Sequence, residues 1–495
     1  MSLALGFAFA AIAVAKATEP PDIEEGDFAA VQAYIRDKVT YEMKRRKVVG
    51  LSLVVVDGQE VLWSEGFGWA DRQNQVPATA DTMYRVGSVS KPFTALAVMQ
   101  LHEQGRLDID APLSAAIPDF AIRSADPDAA PVTPRSMLCH ESGMPSERFA
   151  GWADPESDFS DLPPLLADDW TSHPPYTVWS YSNLSYSLLG RAVEIAAGKD
   201  FEAHLEEAVL RPMGMEHASF APGEDIADLL AHGYRRGRPE DDIHIRDLPA
   251  GMLHASASEV AHLLQVLFAD GAWQETAIVQ PETLADMLTP HNAEVPLDLD
   301  LSMGLGFFLS DASLSHAGRF AGHGGDTLLF HAQTVALLDH EIGVVVLSNT
   351  DTSSGLVGDI ATELASLTLA ARRGIPVPPE EEAVTPPADP PSGPIASGFY
   401  QGFAGGLAVE EKGRGKRAAR VAGLKVVAKP AEPDLYDLRL KLLGIPIRPT
   451  GLRSARLYAD EVGDQSALVV YQDGSRMLLG VAIDPRPPTE AWRGR

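Results

Sequence analysis

Three short stretches carry residue types that could do chemistry together. In Ser88-Val89-Ser90-Lys91 a hydroxyl stands three residues ahead of an ammonium, at the head of an apolar run to Leu101. On a helix that spacing places both groups on one face, about one turn apart. Ser88 would sit at the helix start, where the positive end of the dipole favours a developing anion. Pro92 fits there too, because its missing N–H falls in the first turn. The second stretch, Tyr181-Ser182-Asn183, precedes a helical run over Leu184–Ala197, and the third, His323-Gly324-Gly325-Asp326, lies just before an expected strand. Each alone is common: serines cap helices and lysines follow them by chance. In this order and at these separations they point to nucleophilic acyl transfer through a serine.

Other chemistries find little support. A zinc peptidase would use H-E-x-x-H, and His140-Glu141 lacks the second histidine. No G-x-S-x-G elbow is present, which disfavours an α/β-hydrolase. The scattered histidines 204, 232, 244 and 262 read as surface or satisfied core. Met83, Met99, Met137 and Met144 read as packing.

With its three motifs in this order, the stretch 27–371 resembles the serine β-lactamase and penicillin-binding-protein-like family, specifically its class C-related branch of esterases, D-aminopeptidases and DD-peptidases. The segments Gly105–Asp110, Cys139–Met144, Gly251–Glu259, Gly304–Phe307 and Val346–Asn349 carry the same likeness. The resemblance implies an α/β fold of two lobes, an antiparallel sheet flanked by helices beside a mostly helical lobe, with the site between them. It implies Ser88 as the acylated nucleophile, with Lys91 and Tyr181 as the groups that move its proton. Burial can hold Lys91 partly neutral, or Lys91 can lower the pKa of Tyr181, and the sequence leaves open which is the base. Asn183 would bond Lys91 and the substrate. The oxyanion donors would be the backbone N–H groups of Ser88 and Asp326, with His323, Gly324 and Gly325 forming the substrate-facing edge. Strict β-lactamases and carboxypeptidases usually have Lys-Thr-Gly where this chain has His323-Gly324-Gly325. A mostly neutral histidine attracts a substrate carboxylate less than a lysine does. The expectation is therefore an esterase or peptidase, with a β-lactamase or DD-carboxypeptidase as the alternative. A silent peptidoglycan-binding module is the alternative of another class. No cofactor and no metal are expected.

Several elements must position these groups. Helical spacing over Asp27–Lys47 is followed by a buried strand Leu51–Val56, a turn at Asp57-Gly58 and a returning strand Glu60–Trp69. The Ser88 helix should end near Gln104-Gly105. Residues 109–180 read as a loop-rich, helical insertion whose Trp152, Trp170 and Trp179 could wall the cleft. A helix capped by Ser256 or Ser258 follows. Gly304–Leu309 is expected to open a strand series, continued by Leu329–Leu338 and Ile342–Ser348 and closed by a helix over Leu356–Ala371.

The character changes at residue 374. Proline and glutamate dominate 374–394, which reads as an extended linker. Short alternating apolar runs over 395–495, broken by turns such as Gly405-Gly406, Asp460–Gly463 and Asp473-Gly474, read as a small all-β domain, barrel or sandwich. The organisation expected is thus 1–22 as a signal peptide or N-terminal extension, 23–373 as the hydrolase-like domain, 374–394 as linker and 395–495 as β domain. Lys412, Arg414, Lys416, Arg417 and Arg420 read as a solvated basic hairpin.

Composition bounds the partners. The 495 residues are 45% hydrophobic and carry a formal net charge of −29. Such a chain repels phosphate backbones, so nucleic acid is not an expected partner. A small molecule or peptide is. A lone cysteine, Cys139, excludes an intrachain disulfide. Apolar Leu3–Val14, followed by small-residue sites at Ala13–Ala17, suggests export to the periplasm or medium, the alternative being the cytoplasm; no later run is long enough to span a membrane. Oligomeric state is left open.

Overall fold

A computed structural model describes residues 20–378, apart from 125 and 149, and the strands between 395 and 483 without several of the stretches that join them. The proposed leader, most of the linker, the Asp473-Gly474 turn and Arg414 lie outside the described residues.

Apolar strands buried on both faces build the central sheet. In the strand Gly50–Asp57, Leu51, Leu53 and Val55 enter one core cluster, while Val54 and Val56 enter another on the opposite face. The period of two thus splits one strand between two helical layers. The first layer is Phe28–Arg46 and Ser354–Arg373; the second includes the Ala257–Phe268 helix. Six antiparallel strands run in the order Phe320–Asp326, His331–Leu337, Ile342–Ser348, Gly50–Asp57, Glu60–Asp71 and Val76–Pro77. Phe320–Asp326 is therefore an edge strand. Beside the sheet, helices Ser90–Glu103 and Asn183–Ala197 pack together in the larger core cluster and form the centre of the helical lobe. The α/β architecture and the separate all-β unit are those expected.

Three local expectations are corrected. Asp57 pairs with Glu60, so the hairpin turn is Gly58-Gln59, one residue later, with Gly58 at φ +58°. The His323-Gly324-Gly325-Asp326 stretch lies inside the edge strand and not before it. Gly304–Leu309 is a loop: Gly306 takes φ +90°, and a β-carbon there would stand 2.6 Å from that of Ala95. The close approach to the nucleophile helix bends its path, and a single antiparallel bridge between Phe308 and Gly322 is its link to the edge strand. At the second helix the cap is Ser256, whose hydroxyl accepts from the Glu259 N–H at 3.1 Å while the Glu259 carboxylate returns to the Ser256 N–H.

Beyond residue 395 the described strands close on themselves. Leu424–Glu432, Lys416–Val421, Gly405–Lys412, Gly398–Gly402, Ser475–Ile483, Gln465–Gln472, Arg456–Val462 and Leu435–Leu442 pair in that order. The last pairs back with the first. These strands thus close as a barrel, and a short further strand, Ile445–Ile447, pairs with the end of Leu435–Leu442.

Candidate active site

Ser88 sits in a single 3₁₀ turn, Gly87–Val89, that leads directly into the helix Ser90–Glu103. Gly87 takes φ +56°, a conformation that costs glycine nothing. Ser88 is half-buried, whereas Lys91, one turn on, is completely buried. The Lys91 Nζ lies 3.1 Å from Ser88 Oγ, 2.6 Å from Asn183 Oδ1 and 2.7 Å from the Ala250 carbonyl oxygen. Burial pushes the Lys91 pKa down to about 7, against the opposing pull of Glu147 and Asp247. A neutral amine has two N–H donors and a lone pair. Asn183 and Ala250 are pure acceptors that occupy both donors, which leaves the lone pair for the Ser88 hydroxyl.

Tyr181 is brought to the same point by the extended segment before the Asn183–Ala197 helix, which Ser182 caps. Its ring centroid stands 4.8 Å from Lys91 Nζ. Burial raises the phenol well above its ordinary range, and its hydrogen bond with Ser88 opposes that only in part. Tyr181 is therefore a phenol at neutral pH and not a phenolate. Asn183 opens the helix and turns its amide both ways. Its oxygen accepts from Lys91, and its Nδ2 donates to Glu147 Oε1.

The third stretch meets Ser88 along the backbone. A β-carbon at Gly87 would lie 2.8 Å from the Asp326 nitrogen. One at Gly325 would lie 2.0 Å from the Val86 carbonyl oxygen and 3.1 Å from the Ser88 nitrogen. Only glycine permits this approach, which brings the N–H groups of Ser88 and Asp326 close together. The Asp326 side chain is occupied elsewhere. Burial works against its ionisation, but hydrogen bonds from His331 and Ser354 hold the carboxyl below its usual range. His323 is 2% exposed, and burial with nearby Lys91 pushes its pKa down to about 3. Its Nδ1 is 2.6 Å from the Gly324 carbonyl oxygen, so Nδ1 carries the proton of a neutral ring. Thus all eight residues singled out in the sequence converge, with Asp326 contributing backbone and not carboxylate.

Trp179 joins this site, with ring centroids 6.4 Å from Tyr181 and 6.0 Å from Phe308; Phe308 in turn lies 5.2 Å from His323. Trp170 stacks on Arg123 instead. Ser90 is fully buried and bonded away from the Ser88–Lys91 pair, donating to the Gly87 carbonyl at 2.6 Å and accepting from the Leu253 N–H at 3.0 Å. It staples the nucleophile turn to the segment that supplies Ala250.

Sequence reasoning missed the groups behind Asn183. Burial first, then Asp247, push the Glu147 carboxyl up to about 7, while Asn183 and Lys91 pull it down. Asp247 accepts from Ser187 Oγ at 3.1 Å and pairs with fully buried Arg246 at 3.0 Å. Arg246 also donates to the Arg148 and Ala150 carbonyls at 2.8 and 2.9 Å, which braces the loop carrying Glu147. Glu147 follows Met144-Pro145-Ser146, and no spacing in the sequence ties it to Asn183. Among the described residues no cluster of His, Cys, Asp or Glu could hold a metal, and no helix is long and apolar enough to cross a membrane.

Comparison with known proteins bears on this geometry. The beta-lactamase family model matches residues 35–369. Esterase EstB of Burkholderia gladioli is 32% identical over 253 residues, which are 48% of this chain and 63% of that one. The octameric penicillin-binding protein homologue from Pyrococcus abyssi superposes with a TM-score of 0.59 at 23% identity, covering 91% of this chain and 100% of that one. A class C beta lactamase from Rhodobacter sphaeroides gives a TM-score of 0.57 at 19% identity, covering 68% and 99%. The chain thus spans just under two thirds of EstB, and the solved structures share its fold.

Proposed function

The chain belongs to the beta-lactamase family, and on that premise we propose that it is a serine hydrolase of esters or amides, acting through a Ser88 acyl-enzyme. The observation that carries this reading is the buried Lys91 amine, 3.1 Å from Ser88 Oγ with its other contacts both acceptors. Neutral Lys91 takes the hydroxyl proton as Oγ attacks the substrate carbonyl. The N–H groups of Ser88 and Asp326 receive the oxyanion. Tyr181, a phenol bonded to Ser88, hands its proton to the departing alkoxide or amine and is reprotonated from the Lys91 ammonium. Water then repeats the sequence on the acyl-enzyme. In this scheme Lys91 is the base and Tyr181 the proton carrier, because burial moves the amine toward neutrality and the phenol away from ionisation.

Substrate preference follows from charge. With His323 neutral, the third motif offers no cation for a carboxylate, and Trp179 and Phe308 supply apolar surface. Short-chain esters, or small amino-acid amides and peptides including D-configured ones, fit that chemistry better than carboxylate-bearing β-lactams. The likeness to EstB supports the ester reading. Export is part of the same proposal, since peptidoglycan-like peptides lie outside the cytoplasm. A panel of kcat/KM values at one pH tests the preference: p-nitrophenyl acetate and butyrate, D-alanine p-nitroanilide, and nitrocefin. Esters or amides should lead. Nitrocefin hydrolysed faster than every other member would replace the esterase reading with a β-lactamase.

A further inference from the structure

His140 is fully buried against the site, yet the acyl-transfer scheme above assigns it no step. It adopts φ +63°, a left-handed conformation uncommon for any residue with a β-carbon. Its contacts say what is gained. The His140 carbonyl accepts from the Ser180 N–H at 2.8 Å, and its ring Nδ1 accepts from the Ser182 N–H at 3.2 Å. Tyr181 is the residue between those two donors. The face of the imidazole lies against the phenol ring, with centroids 4.3 Å apart and 36° between planes. Tyr186 and Trp179 close the other sides at 5.3 and 5.9 Å. Because Nδ1 accepts, the ring proton is on Nε2, which is buried with no partner among the described residues. The imidazole is thus neutral and leaves one donor unpaired, while its backbone and ring hold both flanks and one face of a single tyrosine.

We propose that His140 is a positioning residue for Tyr181, fixing the phenol against Ser88 by clamping the backbone on either side of it. This rests on the hydrolase reading. The left-handed turn is what lets one residue present its carbonyl and its ring nitrogen to Ser180 and Ser182 together. His140 is fully buried, with its ring against the phenol of Tyr181, so its effect belongs in the acylation rate and not in binding.

The test uses the full chain with p-nitrophenyl acetate, comparing His140→Phe and His140→Asn in the wild-type and Tyr181→Phe backgrounds. Phenylalanine keeps a ring face but removes the acceptor. Asparagine keeps an acceptor and tolerates the left-handed backbone. His140→Phe should lower kcat about 100-fold with KM changed less than about twofold, as expected for misplacing a reacting group. His140→Asn should stay within about fivefold of wild type. In the Tyr181→Phe background, His140→Phe should cost less than about threefold further, because the group it positions has gone. A folded His140→Phe protein with wild-type kcat would overturn the proposal, as would a full multiplicative loss in the double variant. If His140→Phe does not fold, the asparagine variant still decides: a folded His140→Asn as impaired as Tyr181→Phe would refute the clamp. Fluorophosphonate labelling of the wild type separates the two levels. Absence of labelling sinks the hydrolase reading, whereas labelling with an unaffected His140→Phe sinks only this inference.

Discussion

Replacing Lys91 with methionine should change how stability depends on pH, by an amount set by the burial of the amine. An unfolded lysine titrates near 10.5, and in the folded protein burial brings Lys91 down to about 7. Between those values the unfolded chain binds a proton that the folded one does not, so stability rises with pH across that window. Each pH unit is worth ~1.4 kcal/mol, and the interval from 10.5 down to 7 therefore amounts to about 5 kcal/mol. Below pH 7 both states are protonated and the contribution is flat at its least favourable level. Methionine has similar volume and no titration. It abandons Asn183 Oδ1 and the Ala250 carbonyl, which costs about 1–3 kcal/mol each. That cost does not vary with pH, so it offsets the comparison without altering its slope. The assay is urea unfolding followed by tryptophan fluorescence from pH 6 to 10, for wild type and Lys91→Met. Trp63, Trp69, Trp152, Trp170, Trp179 and Trp273 all precede residue 374 and so report on the part of the chain that holds Lys91. The difference, wild type minus variant, should be level below pH 7 and climb by ~1.4 kcal/mol per unit above it. A level difference throughout would mean an amine that titrates near its ordinary value, and Lys91 could not then be the base.

Three further outcomes follow from the same geometry. Glu147→Gln removes an anion that favours the Lys91 ammonium, so the acid limb of the kcat/KM profile should move down by roughly one pH unit; an upward move would refute the electrostatic role. His323→Lys should improve carboxylate-bearing substrates relative to neutral esters by about tenfold, equivalent to ~1.4 kcal/mol, and unchanged relative kcat/KM values would count against the charge argument for substrate choice. Proteolytic cleavage engineered within 379–394, with the barrel still present, should leave Ser88 labelling intact, since the site residues all precede residue 327; loss of labelling in a folded protein would show that the barrel completes the site.

How legible the site was depends on how each group reaches it. Ser88 and Lys91 share one helical turn, and Tyr181 and Asn183 flank one cap, so local spacing reveals them. Gly325 and Gly87 are legible only as glycines; that their backbones meet is a tertiary fact. Ala250 offers a carbonyl, which leaves no trace in residue type. Glu147 lies 36 residues from Asn183, and His140 is separated from Ser182 by a loop-rich stretch, so neither obeys a helix or strand period. The sheet is legible in its apolar runs, such as Leu51–Val56, and the β unit in short alternating apolar runs broken by turns. The shifted hairpin and the Gly304–Leu309 loop went astray for a common reason. Register and loop path are set by what packs opposite, here Glu60 and Ala95, and not by the segment itself.

The most direct test of the central claim is to label the protein with a fluorophosphonate and locate the adduct by mass spectrometry of its peptides. The account predicts one modified residue, Ser88, and no adduct in Ser88→Ala folded as judged by circular dichroism. An adduct on any other serine, or undiminished labelling of Ser88→Ala, would contradict it.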